Sequence, residues 1–164
     1  MSQLNVNLIK NKAGNGGPTL DALTVTNDSV LSGVRFTAGQ LCESVNVVAG
    51  TLGSASDIDL SNGMIHYFTT QESAQAIPNL SVSGKSVNQI MAIGEAISVV
   101  IMLTASASGY MSTMTIDGAV VTPVWSGGIP PSEGGASGID VYTLQVIKTA
   151  SNTYTVLANS SNFA

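Results

Sequence analysis

The stretch from Ile139 to Lys148 reads IDVYTLQVIK, and the stretch from Thr153 to Ala158 reads TYTVLA. Tyr, Leu and Val occupy alternate positions of the first stretch, and Tyr, Val and Ala do so in the second. This is the period of a β-strand, whose successive side chains point to opposite faces of a sheet. The Ala-Ser-Asn turn between the two stretches predicts a hairpin with one buried face, which a one-residue slip in register would expose.

Further strand candidates lie on the N-terminal side of this hairpin. Together with it they make eight short candidates over residues 56–164, separated by Gly, Pro, Asn and Asp, and this spacing is typical of an antiparallel β-sandwich or jelly roll. The candidates are Ile58–Leu60, Met64–Thr70, Ala76–Val82, Ala96–Thr104, Tyr110–Ile116, Ala119–Trp125, Ile139–Lys148 and Thr153–Ala158. We therefore predict an all-β head domain over 56–164.

One short segment interrupts the strands. Ser86 is followed three residues later by Gln89, the spacing of a capping box, and Gly94 supplies a stop. The sequence thus predicts at most one short helix.

The N-terminal part of the chain has a different pattern. Leu4, Val6 and Leu8 alternate with asparagines and precede a glycine-rich stretch, which predicts an extended arm and a hinge over residues 1–20. The apolar side of this arm needs a partner, which is the body of the same chain, a sister subunit or another protein. Residues 21–55 carry short β-like pieces that suit either a small sheet or a narrow stalk between subunits.

Composition limits the classes of partner. The 164 residues carry 9% charged side chains, against about 25% in an average globular protein, and their net charge is −5. Five dispersed Lys and Arg residues cannot form a basic patch, so we expect no nucleic-acid partner. The longest strongly apolar run, from Ala96 to Leu103, is too short to span a bilayer, so we expect no membrane insertion. The first residues lack the pattern of a signal peptide, which favours synthesis and assembly in a cytoplasm.

Residues that could carry chemistry are few. His66 is the single histidine and Cys42 the single cysteine, so the chain cannot supply the four Cys and His ligands of a structural zinc site. The Asp57 to Gly63 segment lacks the acidic residue that would close a calcium loop. Paired carboxylates that cleave a polysaccharide are the enzymatic alternative, although spacing alone does not reveal such a pair. We expect no enzyme activity, and no cofactor is implied.

The long irregular stretch from Trp125 to Gly138 is a candidate binding loop. Trp125 and Tyr142 could stack on a sugar if exposed, with Ile129 and Pro130 beside them; the alternative is that Trp125 packs at the edge of the core.

A subunit interface is a further candidate. The run from Ala96 to Leu103 is apolar on both faces of its strand and could lie between the core and a symmetry mate. The candidate interface residues are Ile97, Val99, Val100 and Ile101.

Three segments carry a resemblance to a known family. They are PVWSGGIP from Pro123 to Pro130, IDVYTL from Ile139 to Leu144, and MIHYF from Met64 to Phe68. They resemble a C-terminal β domain that recurs in virion structural and tail-fibre proteins of marine and cyanobacterial bacteriophages. The opening LNVN from Leu4 to Asn7, with the segment Gly14 to Thr19, is similar to the N-terminal attachment stretch of such fibre proteins.

The resemblance implies a virion protein that attaches to the particle, commonly as a homotrimer. A chain of 164 residues leaves almost no room for a fibre shaft, which favours a short tail appendage, a tail adaptor or a capsid decoration protein. Its partners would be other virion proteins of the capsid or the tail. The alternative function is a host-surface polysaccharide-binding module of a phage receptor-binding protein.

Overall fold

The computed structural model describes residues 42–164, with the side chains of 54–56 left out. Within this part the chain forms ten strands, one short α-helix, α1 (Val87–Ile90), and two single turns of 3₁₀ helix, Leu60–Asn62 and Ser126–Gly128. The strands are β1 (Val45–Val48), β2 (Ser54–Asp59), β3 (Ile65–Phe68), β4 (Ile77–Ser81), β5 (Ala96–Thr104), β6 (Met114–Ile116), β7 (Ala119–Val121), β8 (Val124–Trp125), β9 (Ile139–Ala150) and β10 (Thr153–Phe163). The prediction of an all-β chain with at most one short helix is confirmed for these residues.

The strands belong to two mixed sheets. The larger has six strands in the order β1-β3-β5-β9-β10-β8, and the smaller has four in the order β2-β4-β6-β7. From β1 to β6 the chain alternates between the sheets, so that neighbours in one sheet are joined through a strand of the other. Neighbours reached by such crossovers run parallel, as β1 with β3, β3 with β5, β2 with β4 and β4 with β6 do. The expectation of purely antiparallel sheets is therefore wrong.

The later strands form the antiparallel pairings, among them β6 with β7, although β8 pairs with β10 in parallel. β9 pairs with both β5 and β10, and Val146 lies opposite Val156 in the predicted hairpin. The turn uses Asn152 at a φ of 51°, a left-handed conformation that asparagine tolerates. The predicted hairpin is confirmed, and β10 extends beyond its predicted end to Phe163.

The short helix begins where the sequence indicates. The Ser86 hydroxyl accepts a hydrogen bond from the Gln89 amide, and the Gln89 side chain accepts one from the Ser86 amide. The carboxylate of Asp117 accepts hydrogen bonds from the amides of Val87 and Asn88 at 2.9 and 3.1 Å. The predicted capping box is thus confirmed, and a distant aspartate adds to it.

A single hydrophobic cluster takes side chains from both sheets. Ile58, Leu80 and Ile116 come from the smaller sheet, and Ile101 and Leu144 from the larger one. Within the larger sheet the buried residues alternate with less buried ones, so one face lies on this cluster and the other, the outer face, points away from it.

The described unit begins before the predicted head domain. Val45–Val48 and the first residues of β2 fall in the zone assigned to 21–55, yet they pair in the two sheets of the head. The arm over 1–20 and residues 21–41 lie outside the described residues. Between residues 42 and 164, no helix is long and apolar enough to cross a membrane.

Candidate functional site

The outer face of the six-stranded sheet is the most distinctive surface of the described unit. It consists of alternate residues of β1, β3, β5, β8, β9 and β10, because successive side chains of a strand point to opposite faces. None of the outward residues of these strands carries a formal charge. They are Val45, Val47, Ile65, Tyr67, Ala96, Ser98, Val100, Met102, Thr104, Val124, Ile139, Val141, Thr143, Gln145, Ile147, Thr149, Thr155, Leu157, Asn159, Ser161 and Phe163.

One part of this face is apolar without interruption. Strand register places Val45, Ile65 and Val100 in one row across β1, β3 and β5. A second row runs from the edge strand β1 to β9 through Val47, Tyr67, Met102 and Val141. We call these seven residues the apolar patch.

Exposure within the patch is greatest at its edge strand. Val45 is 42% exposed and Val47 is 62% exposed, whereas the central residues are half-buried by their neighbours in the sheet. A contiguous group of partly exposed apolar side chains over several strands is typical of a contact surface.

A groove of about 510 Å³ lies on the same face, over β5, β9, β10 and β8. Val124 and Leu157 border it and are 58% and 46% exposed. Its polar groups include the hydroxyl of Ser98, which donates to the Gln145 side-chain oxygen at 2.8 Å, and the amide of Asn159. The groove therefore combines apolar walls with neutral hydrogen-bonding groups.

The candidate binding loop is exposed at its centre but not at its aromatic ends. Ile129 is 79% exposed and Pro130 is exposed. Trp125 and Tyr142 are only 7% and 1% exposed, so neither ring offers a face on which a sugar could stack. The alternative, with Trp125 packed at the edge of the core, is the arrangement found.

Both aromatic residues are buried because their polar atoms find partners inside the protein. The Trp125 indole N–H donates to the carbonyl of Ser112 at 3.1 Å, and the Tyr142 hydroxyl accepts from the Met111 amide at 3.2 Å. Burial raises the pKa of Tyr142 to about 12.

The candidate interface residues of β5 separate onto two faces. Val99 and Ile101 are fully buried in the core of their own chain, and Ile97 packs against that core. Only Val100 lies on the outer face, within the apolar patch. One face of the strand therefore lies on the core, as the prediction of a strand between the core and a symmetry mate requires, and of the four candidates only Val100 is on the face that could meet another subunit.

Buried ionisable groups hold the backbone in place. The Glu72 carboxylate accepts hydrogen bonds from the amides of Leu52 and Gly53. The Lys148 ammonium donates to the carbonyls of Asn88 and Met91 at 2.6 and 2.7 Å, at the end of α1.

His66 is held in the same way. Its Nε2 lies 2.9 Å from the carbonyl oxygen of Gly63, and its Nδ1 lies 3.1 Å from the side-chain amide nitrogen of Asn46. Because a carbonyl can only accept and an amide nitrogen can only donate, these partners fit the neutral ring that carries its proton on Nε2. Burial lowers the pKa of His66, against smaller opposing effects of the Gly63 hydrogen bond and the Asp59 charge.

A second, polar depression of about 240 Å³ lies beside Glu133, Asp140 and Asn162. The Asp140 carboxylate is already engaged there, since it accepts hydrogen bonds from the Gly135 amide and the Asn162 side chain at 2.9 Å each. Across 42–164, no three His, Cys, Asp or Glu side chains lie close enough together to hold a metal ion.

The proposed attachment residues Leu4, Val6 and Leu8 lie outside the described residues. The apolar patch was missed in the sequence because its members come from four strands that are distant in the chain. Its signal is present in the pairs Val45 and Val47, Ile65 and Tyr67, and Val100 and Met102, where apolar residues stand on the outward positions of each strand.

Comparison with known proteins yields no relative: no protein-family model, curated protein or solved structure matches this chain.

Proposed function

We propose that the protein is a non-enzymatic structural subunit of a bacteriophage particle, a short tail appendage, tail adaptor or capsid decoration protein that assembles as a homotrimer. The observation that carries this proposal is the uncharged outer face of the six-stranded sheet. The chain has a net charge of −5, yet none of the outward residues of the described sheet strands carries a charge. Such a face suits permanent contacts, because no charge has to lose its water there.

The buried ionisable groups support a structural role. Glu72, Asp140 and Lys148 are each bound to backbone groups, and His66 is hydrogen-bonded through both ring nitrogens. These ionisable groups therefore hold loops and a helix end in place. The assignment to a phage particle is supported by a resemblance to phage virion proteins, which is carried by the segments Met64–Phe68, Pro123–Pro130 and Ile139–Leu144.

In this proposal the described unit is a β-sandwich head. Its support is the single hydrophobic cluster to which both sheets contribute. The arm over 1–20 docks on the particle by adding a strand to a capsid or tail protein, with Leu4, Val6 and Leu8 on the buried side. The protein is then located in the virion, after assembly in the host cytoplasm.

The test is the composition of purified particles. Particles of a phage that encodes this chain, purified by density gradient, are expected to contain it in a copy number divisible by three. Quantitative mass spectrometry against the major capsid protein measures that number. A chain that is made during infection but missing from purified particles would overturn the proposal.

Attachment through the arm has its own test. Replacing Leu4, Val6 and Leu8 together by Ser is expected to abolish incorporation into particles. The matched control replaces Asn5 and Asn7 by Ser on the opposite side of the same strand and should incorporate normally. Equal incorporation of both variants would contradict docking through the apolar side.

Host-surface polysaccharide is a second candidate ligand, and the groove beside Gln145 and Asn159 is the observation that favours it. Trp125 borders this groove, so bound sugar should change its fluorescence, and Asn159→Ala should weaken the response. Unchanged Trp125 fluorescence across a panel of host polysaccharides would remove this candidate.

A further inference from the structure

The outer face of the six-stranded sheet has the dimensions of a protein interface. Strands about 4.8 Å apart give six strands a width of roughly 25 Å. The central strand β5 has nine residues, which corresponds to a length of about 30 Å. The shorter edge strands reduce the face to an area on the order of 600–700 Å². A standard stable interface buries about 800 Å² on each partner, so this face supplies most of one.

Charge favours a second copy of the chain as the partner. Two copies with a net charge of −5 each repel one another unless the contact avoids their charges. The outward residues of the described sheet strands meet that condition, since none is charged. A different protein recognised by charge complementarity would find nothing on this face to pair with.

The position of the apolar patch adds to this argument. Its two rows begin at the edge strand β1, where Val45 and Val47 are the most exposed patch members, and continue to β5 and β9. Packed around a common axis, such faces can bury their apolar rows against one another while the polar part, with Thr143, Asn159 and Ser161, stays towards the rim. An apolar centre with a polar rim is the usual anatomy of a protein interface.

From these observations we infer that the outer face of the six-stranded sheet is the subunit interface of a homo-oligomer, with the apolar patch as its most deeply buried part, and that a second copy of this chain covers it. The inference deepens the proposed function, on which its trimeric form rests, by naming the partner and the contacting residues. Met102, Val100 and Tyr67 form the centre of the contact, and Val99 and Ile101 stay in the core of their own chain.

The first experiment measures the mass of the full chain by light scattering after size exclusion. The wild type is expected at three times the 16.7 kDa chain mass. Val100→Lys places a charge at the centre of the patch and is expected to raise the dissociation constant at least about a hundredfold, leaving single chains. The matched control is Val120→Lys in the smaller sheet, where Val120 is 76% exposed and outside the patch; it should keep the wild-type mass.

Folding of the variant is checked separately. Circular dichroism should show that Val100→Lys keeps its β structure. If it does not, Val47→Lys replaces it, because Val47 lies on the edge strand and is already 62% exposed. A folded patch variant that keeps the wild-type mass would overturn the inference.

Hydrogen exchange of the wild type distinguishes the other occupants of the face. If the protection of β3 and β5 against exchange falls on dilution, and the measured mass is that of an oligomer, a second copy of the chain is the occupant of the face. A single-chain mass with protection that does not change on dilution would assign the face to residues 1–41 of the same chain and overturn the inference. A single-chain wild type that is nevertheless present in purified particles would overturn the interface and leave the virion role standing.

Discussion

The rings of Tyr142 and Trp125 meet edge to face in the core, with their centroids 6.3 Å apart and their planes inclined at 79°. Tyr142 comes from β9 and Trp125 from β8, and their polar atoms reach the same short segment. Tyr142 accepts a hydrogen bond from the Met111 amide, and Trp125 donates one to the Ser112 carbonyl. The aromatic pair therefore fastens the segment that leads into β6, a strand of the smaller sheet, to the larger sheet.

Removing the Tyr142 hydroxyl tests this fastening. Tyr142→Phe keeps the ring but leaves the buried Met111 amide without its acceptor, so the free energy of unfolding should fall by about 1–3 kcal/mol. Urea unfolding followed by circular dichroism measures the loss. The control is Tyr154→Phe, which removes a hydroxyl that has no hydrogen-bond partner among the described residues and should therefore cause no loss of stability. Equal losses in the two variants would show that the Met111 contact contributes nothing.

The same hydroxyl predicts a loss of stability in alkali. The pKa of Tyr142 is raised from 10.0 to about 12, chiefly by burial. The folded state holds the hydroxyl proton more tightly than the unfolded chain does. The stability that Tyr142 contributes is therefore complete below pH 10 and is lost as the pH rises from 10 through 12. The contribution amounts to about 2–3 kcal/mol. Urea unfolding at several pH values should show a shallower alkaline loss in Tyr142→Phe than in the wild type, and identical slopes would contradict the assignment.

Local signals explain why some elements could be predicted from the sequence. The helix at Val87–Ile90 follows from two residues three apart, Ser86 and Gln89, which satisfy each other's backbone groups. The hairpin of β9 and β10 follows from alternation on both sides of a short turn. In each case the deciding contacts lie close together in the chain.

Contacts between distant segments explain what could not be predicted. Val45 pairs with Ile65, and Ile65 with Val100, so the parallel register joins strands separated by 20 and 35 positions. Alternation shows that each strand has two faces but not which strands become neighbours. The burial of Trp125 was likewise undecided, because it depends on the carbonyl of Ser112, which the fold brings to the indole. The apolar patch is missed for the same reason, as it exists only after these strands pair.

Two glycines with the same backbone conformation allow the energetic cost of backbone strain to be measured apart from the cost of close packing. Gly138 and Gly118 have φ values of 80° and 78°. A Cβ on Gly118 would meet nothing within 4 Å, whereas one on Gly138 would run into the backbone of Phe163 and Ala164. Gly118→Ala should therefore lose only the strain of a left-handed residue, about 1–2 kcal/mol.

Gly138→Ala should lose that amount and a further amount of about 1–3 kcal/mol, because the end of β10 has to move away. Urea unfolding gives the difference, and hydrogen exchange should show faster exchange at the β10 end in Gly138→Ala alone. If the two variants lose the same amount of stability, the close approach of Gly138 to Phe163 does not affect the free energy of unfolding.

The single histidine predicts how stability changes in weak acid. Burial lowers the pKa of His66 below 6.5, so the unfolded chain binds this proton more readily than the folded one. The stability it contributes is present above pH 6.5 and is lost as the pH falls through the folded pKa. Proton NMR of the one imidazole ring should give a midpoint below 6.5, and urea unfolding should show stability declining as the pH falls below 6.5. His66→Gln should remove this decline and keep the loss below about pH 4 that carboxylates cause. A midpoint at or above 6.5, or an unchanged decline in the variant, would show that His66 is not held as the neutral ring between Gly63 and Asn46.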